Sequence, residues 1–439
     1  MKGTSSPASV STRLQRVAEV SRKSPEMVWT TLAHHIDMEL LHEAYRRTRK
    51  DGAVGIDGQT AEQYARELDT NLRSLLDRFK SGTYRAPPVR RVHIPKDEHM
   101  TRPIGIPTFE DKVLQRAVVM VLAAVYEQQF SNSSYGFRPG RSAHQALDTL
   151  WHVTMDMGSC WVVELDIQSF FDSVDHRHLR SVLDQRIRDG VIRCMVDKWL
   201  KAGVLEQGQL YRPEEGTPQG GVISPLLANI YLHEVLDRWF EEQVRPRMHK
   251  RAELIRYADD AVLIFGSEAD ARRVLEVLPK RFGKYGLTLH PEKTCLVAFR
   301  PQGPASPSAT PGSFDLLGFR HFWARSKQGR WVVKRKTAPK RFTRALRRVA
   351  QWCRRHLHDP VARQHARLSQ ILRGHYAYYG ITGNSVALER FRFEVLRTWH
   401  KWLNRRSQRR SMPWDRFQRL LQRYRLPTAR AVHSVYARA

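Results

Sequence analysis

Apolar positions along the chain fall into blocks of two different periods. Between 26 and 80 they recur at helical spacing: Leu40, Leu41, Ala44 and Tyr45, then Leu68, Leu72, Leu75, Leu76 and Phe79. Between these sets lies Asp51-Gly-Ala-Val-Gly-Ile-Asp-Gly58, which reads either as a helix-to-helix loop or as a contact to template or phosphate. Over 89–107 the period becomes two. Val89, Arg91 and His93 alternate with Arg90, Val92 and Ile94, a turn falls at 97–100, and Arg102-Pro-Ile-Gly-Ile-Pro107 is again extended, which predicts a hairpin. A helix follows over 109–129, and a short strand over 162–166 ends in Asp166. A helix is expected over 226–240, strands over 254–258 and 260–265 with a tight turn between them, and a helix over 268–286 that starts on Glu268 and stops at Gly286. Residues 301–313 are rich in Pro and Ser and predict a surface insertion. In 388–403 the apolar residues 388, 391, 395, 399, 402 and 403 share one helical face. Mixed helices and strands over 439 residues predict an α+β multidomain protein. Residues 1–25, polar and Ser-rich, are expected to be flexible.

Hydrophobic residues make up 41% of the chain, enough for a sizeable core and too many for a disordered protein. Charge then divides the chain sharply. The formal net charge is +30, yet residues 1–319 hold 43 Lys/Arg against 40 Asp/Glu, whereas residues 320–439 hold 31 against 4. A field concentrated in the last quarter of the chain attracts a polyanion and releases counterions on binding. Nucleic acid is the expected polyanion: no apolar run is long enough to span a bilayer, and Met1 to Val10 has no apolar secretory region. A cytoplasmic, nucleoid-associated location is expected. The four cysteines, Cys160, Cys194, Cys295 and Cys353, form no C-x-x-C pair, so neither a disulfide framework nor a zinc site is expected.

Candidate chemistry sits in acidic residues at strand ends. Asp166 closes one apolar strand, and Asp259 and Asp260 occupy the turn of Tyr257-Ala-Asp-Asp260 between two others. Aspartates on buried strands are costly unless paired or metal-bound. Three carboxylates converging on one point repel one another unless divalent cations neutralise them. That pattern points to two-metal phosphoryl transfer, with ions about 3.5–4 Å apart.

Seven blocks in order give the chain a resemblance to the reverse transcriptases encoded by group II introns, over roughly residues 35–439. They are Arg102-Pro-Ile-Gly-Ile-Pro107, Ser134-Tyr-Gly-Phe-Arg-Pro-Gly-Arg141, Glu164-Leu-Asp-Ile-Gln-Ser-Phe-Phe-Asp-Ser-Val-Asp-His176, Gly216-Thr-Pro-Gln-Gly-Gly-Val-Ile-Ser-Pro225, Tyr257-Ala-Asp-Asp260, Leu287-Thr-Leu-His-Pro-Glu-Lys-Thr294 and Phe314-Asp-Leu-Leu-Gly-Phe319. The resemblance implies a right-hand polymerase. Residues 26–150 would be an N-terminal extension and fingers, 151–319 a palm whose antiparallel sheet carries Tyr-Ala-Asp-Asp, and 320–439 a basic helical thumb and maturase domain.

It also implies roles. Asp166, Asp259 and Asp260 would be catalytic and, with the Ile167 carbonyl, would hold two Mg²⁺ ions. Lys96 and Arg102 would grip the incoming triphosphate, Phe171 would exclude a 2′ hydroxyl beside a core Phe170, Gln219 would touch the nucleotide, and Lys293 would protonate pyrophosphate. Phe314 to Phe319 would grip the primer. Arg397, Lys401, Arg405, Arg406, Arg409 and Arg410 are expected to bind RNA, and Trp399 and Trp402 to be core. Arg373-Gly-His-Tyr-Ala-Tyr-Tyr-Gly380 interleaves aromatics with cations, which suits bases and phosphates.

Implied partners are the intron RNA, an RNA template with a DNA primer, dNTPs and target DNA. Many relatives carry a C-terminal HNH endonuclease with paired cysteines. The tail here shows no such pairs, so a primer supplied from elsewhere, such as nascent DNA at a replication fork, is expected. Two alternatives stay open: a splicing-only RNA-binding maturase, and a related reverse transcriptase recruited to phage defence or CRISPR adaptation.

Overall fold

The helix Phe109–Tyr126 is apolar all round from Ala117 to Val125, and Val113, Leu114, Ala117, Val118, Val121, Leu122 and Val125 are each fully buried. Such a helix can only sit at the centre of a core. It ends three residues before the expected 129. A computed structural model describes residues 7–95, 101–206, 209–211, 220–301, 312–407 and 411–434, and in it the chain is α+β with two compact units. One unit comprises Met1–Ala143 and Val163–Cys295, the other His144–Val162 and Leu296–Ala439.

The first unit begins with a correction. The segment expected to be flexible is a helix over Pro7–Lys23. Val10, Val17 and Ser21 are buried on one face of it, and Arg13 pairs with Asp37 and with Glu39 at 2.9 Å. A narrow apolar stripe inside a polar segment is enough once ion pairs fasten the other side. Asp37 in turn caps the helix Met38–Arg47 by accepting from the Leu40 N–H, and Thr60 and Gln63 form a capping box on Ala61–Ala65. The Gly-rich stretch 51–58 is the loop between these helices.

The strands are β1 Val89–Pro95, β2 Thr101–Ile106, β3 Cys160–Leu165, β4 Val204–Glu206, β5 Gln209–Tyr211, β6 Ala252–Tyr257, β7 Asp260–Phe265, β8 Cys295–Phe299, β9 Ser313–Leu316, β10 Phe319–Arg325 and β11 Trp331–Thr337. One sheet runs β2-β1-β4-β5, with β1 and β2 antiparallel in the register Arg90↔Ile106 to Pro95↔Thr101. The turn between them lies outside the described residues. A second sheet runs β6-β7-β3-β8, and β3 and β8 are where the chain passes from one unit to the other. The helix Ser224–Leu232 does not stop at 240 as expected. It continues through π-helical turns at His233–Arg238 and Phe240–Val244.

The second unit contains the sheet β11-β10-β9 and helices Pro339–Arg355, Val361–Tyr379, Ser385–Asn404 and Trp414–Arg423. Leu388, Phe391, Val395, Trp399 and Leu403 line the buried face of the third helix and meet Val349, Leu368, Leu372 and Phe417. Its borders are not the expected 150 and 319. Leu147 packs with Phe319 and Ile381, the Arg335 guanidinium donates to the Leu147 carbonyl at 3.1 Å, and the Trp151 indole donates to the Val333 carbonyl at 2.9 Å. Residues 144–162 thus belong to the core of the C-terminal helices. No helix among the described residues is long and apolar enough to cross a membrane.

Candidate active site

Strands β6 and β7 pair antiparallel down to Tyr257↔Asp260, which leaves Ala258 and Asp259 as a two-residue turn. Ala258 has φ +57°, a region that favours glycine at such a turn. A side chain there costs about 1–2 kcal/mol, so the surroundings must impose it. They do so from below. Arg256, fully buried, donates to the Ala258 carbonyl at 3.0 Å, to Asn229 Oδ1 at 3.0 Å and to both oxygens of buried Asp237 at 2.7 and 2.5 Å. They also do so from the side. Ser133 to Gly136 runs along the edge of β6, with Tyr135 N–H on the Arg256 carbonyl at 2.8 Å. A Cβ on Gly136 would collide with the Ala258 backbone. Only glycine admits this approach.

The clamped turn presents Asp259. Burial raises its carboxyl above the usual range, and the negative field of Asp166 adds to this against the pull of Arg102 and Arg256. Asp166 follows the last residue of β3. Its carbonyl accepts from the His290 N–H at 2.8 Å, and the Gln168 N–H donates to the Thr288 carbonyl at 2.9 Å. Both bonds of the bridge Ile167↔Leu289 are therefore made by the neighbours of Ile167, and its own carbonyl points away from Leu289. The Lys293 ammonium lies 3.5 Å from Asp166 Oδ2.

Asp166 and Asp259 are thus within each other's field. Asp260 is exposed at the start of β7, and among the described residues no three His, Cys, Asp or Glu side chains are grouped to hold a metal ion. The oxygen donors whose setting is fixed here are the Asp166 and Asp259 carboxyls and the Ile167 carbonyl. That all-oxygen donor set carries negative charge, partly offset by the Lys293 ammonium, and suits a hard divalent cation.

Around it, Phe170 is buried and Phe171 half-buried, following Ser169 at φ +43°. Arg102 is exposed on β2. Desolvation raises the carboxyl of Asp172, the residue after Phe171, against the pull of Arg91 and Arg102. Lys96 and Gln219 lie outside the described residues. The segment that follows Gln219 is described: Gly220 has φ +116°, and a Cβ there would strike the Gly105 carbonyl on β2.

A group that the sequence pattern did not single out holds that segment. Gln115 Oε1 accepts from the Val222 and Ile223 N–H groups at 2.7 and 3.2 Å. Its amide nitrogen donates to Asp111, which also accepts from Trp199 and Tyr84 at 2.7 and 3.0 Å. Burial pushes Asp111 up to about 6 despite those three donors. The available signal was an Asp and a Gln at i, i+4 in the first turns of a helix whose remainder is apolar.

In the second unit the expected primer grip is the β9–β10 turn, with Leu317 at φ +51° and Gly318 at φ +81°. The Tyr378 hydroxyl donates to the Leu317 carbonyl at 2.8 Å. Of the expected RNA contacts, Arg397 is exposed over Phe393, and Lys401 and Arg405 are exposed over Trp402. Arg406 differs: it is half-buried and donates to the Asp359 carbonyl, so it is spent on the fold. Arg409 and Arg410 lie outside the described residues. Trp399 is buried, and Trp402 is partly so.

The clamped hairpin, Asp259 and Asp166 all lie within the stretch that one family model matches. The chain belongs to the reverse transcriptase (RNA-dependent DNA polymerase) family, whose model matches residues 94–321. Its relatives bear out the resemblance to intron-encoded members. It is 35% identical over 284 residues to the group II intron-encoded protein LtrA of Lactococcus lactis subsp. cremoris, covering 61% of this chain and 46% of that protein. It is 36% identical over 331 residues to protein YkfC of Escherichia coli K12, covering 67% and 83%. It is also 29% identical over 177 residues to nuclear intron maturase 2, mitochondrial, of Arabidopsis thaliana, covering 31% and 24%. The chain therefore spans just under half the length of LtrA.

Proposed function

We propose that this chain is an RNA-directed DNA polymerase that binds a group II intron RNA, assists its splicing and copies it into DNA. The observation that carries this reading is Asp259, presented by a strained and clamped turn within the field of Asp166. In this mechanism β6, β7 and β3 form the palm, β1 and β2 belong to the fingers, and the C-terminal helices are the thumb and maturase domain.

Asp166, Asp259 and the Ile167 carbonyl would hold Mg²⁺, which when bound lowers the cost of ionising a primer 3′ hydroxyl and of releasing pyrophosphate. Arg102 brings a guanidinium that can pair with triphosphate oxygens in fork geometry, and Lys96 would join it. Lys293 Nζ lies beside the Asp166 carboxyl and would pass a proton to the leaving pyrophosphate. The Phe171 ring would close the space that a 2′ hydroxyl needs, and Gln219 would line the same pocket. Asp260 would act through the turn. Arg397, Lys401 and Arg405 stand over aromatic rings, an arrangement that suits phosphates and stacked bases.

The test is primer extension on an RNA template with each dNTP and NTP, run beside Asp259→Asn and the double variant Asp166→Ala/Asp259→Ala. Wild type should extend with dNTPs only, and the variants should bind RNA as tightly and extend nothing. Extension by the double variant would overturn the assignment. RNA binding that needs no extension anywhere would favour a splicing-only protein.

A further inference from the structure

Phe137 is not used by the site as described. It is 60% exposed, its φ is +55°, and its ring centre lies 6.3 Å from that of Tyr257. Exposure alone would mean little, since single exposed apolar side chains are common. A bulky residue held in the left-handed region without burying its ring is a different matter.

The backbone on both sides is pinned, and pinned to the catalytic turn. Gly136 presses on the Ala258 backbone, and its carbonyl accepts from Asn229 Nδ2 at 2.7 Å. The Arg256 N–H donates to the Ser133 carbonyl at 2.8 Å. On the other side Arg138 is buried. Its guanidinium is held by Glu127 at 3.0 Å and by the Ser131 and Ser134 carbonyls at 2.6 and 2.8 Å. Asn229 and Arg256 thus fix both the strained Ala258 and the strained Phe137. The outcome of this clamping is an aromatic ring in solvent beside Tyr257, at a set distance from Asp259.

We propose that Phe137 is a stacking platform for an unpaired base of the template strand at the polymerisation site. The proposal rests on the reading of the chain as a template-directed polymerase. Bases inside the primer–template duplex have their faces covered by neighbours. The template bases ahead of the growing end are the ones that offer an open face to an aromatic side chain. A phenyl ring makes no hydrogen bond, so it accepts all four bases equally, as copying of any sequence requires.

The test places 2-aminopurine at successive positions of an RNA template annealed to a DNA primer. Fluorescence on binding is then read with wild type, Phe137→Leu, Phe137→Trp and Phe137→Gly. Leucine keeps an apolar side chain of similar size and removes the ring, and glycine relieves the positive φ, so loss of signal in both cannot come from misfolding. Wild type and the Trp variant should quench one unpaired template position. The Leu and Gly variants should leave it bright, with the KM for primer–template raised roughly tenfold and the KM for dNTP within about twofold.

Quenching that persists in the Leu variant, or that falls only on paired positions, overturns the proposal. If wild type extends primers and the Leu variant matches it in both KM values, this inference fails while the polymerase reading stands. If wild type extends nothing, both fall.

Discussion

Removing Asp237 tests the support beneath the Ala258–Asp259 turn. Both partners of the Asp237–Arg256 pair are fully buried, and two hydrogen bonds join them. Burial alone would push the Asp237 carboxyl up, but Arg256 and His233 outweigh it and hold the carboxyl below the usual range. Asp237→Ala leaves a buried guanidinium without its counter-charge, which costs about 3–5 kcal/mol. Asp237→Leu with Arg256→Met replaces the pair by apolar side chains, which is neutral or stabilising where the packing holds. The double variant nonetheless loses the hydrogen bond to the Ala258 carbonyl. The strain of about 1–2 kcal/mol at φ +57° is then free to relax, and the share of molecules with a competent turn falls roughly 5- to 30-fold. Urea unfolding followed by tryptophan fluorescence reads stability, and single-turnover incorporation reads the turn. The single variant should lose stability, and the double should regain it without regaining the rate. If the single variant unfolds within about 1 kcal/mol of wild type, the pair is not a desolvated one. If the double variant recovers the rate as well, Arg256 does not hold the turn.

Two further outcomes are expected. His321 is fully buried against Phe314, neither ring nitrogen has a hydrogen-bond partner among the described residues, and burial with the field of Arg335 pushes it down to about 3. It stays neutral when folded and takes up a proton when unfolded, so its contribution is complete above about pH 6.5 and is lost as pH falls toward 3. Between pH 7 and 5 the urea stability of wild type should drop about 2 kcal/mol more than that of His321→Phe, and equal slopes would refute this. Gln115→Leu leaves the Val222 and Ile223 N–H groups without their acceptor, at about 1–3 kcal/mol for a buried group. Steady-state kinetics should show the dNTP KM rising and the primer–template KM unchanged; a rise in the latter alone would point elsewhere.

Local periodicity made much of the fold legible. The two strands around Ala258 and the buried face from Leu388 to Leu403 both follow from spacing. Asp166 and the Tyr-Ala-Asp-Asp turn stood out because carboxylates at the ends of apolar strands are expensive. What spacing could not show was the support. Arg256 reads as one polar residue in a strand and Asp237 as one in a helix 19 positions earlier, and only the packing of the two elements makes them a buried pair. The helix Pro7–Lys23 was hidden because Val10 and Val17 are seven residues apart, too sparse a stripe to outweigh the polar residues between them.

The assignment of residues 144–162 to the core of the basic tail has a practical consequence for dissecting the protein. An expression fragment that starts at residue 320 would lack Leu147 and Phe319 against Ile381, the acceptor for the Arg335 guanidinium, and the indole that caps the Val333 carbonyl. Such a fragment should be poorly soluble for reasons unrelated to its charge. A permuted or bipartite version that supplies 144–162 alongside 296–439 is the smallest piece in which the RNA affinity of the tail can be measured apart from polymerisation. For the same reason, exchange of tails between homologues at a single crossover would carry a mismatched helix, so the two stretches are expected to be inherited together.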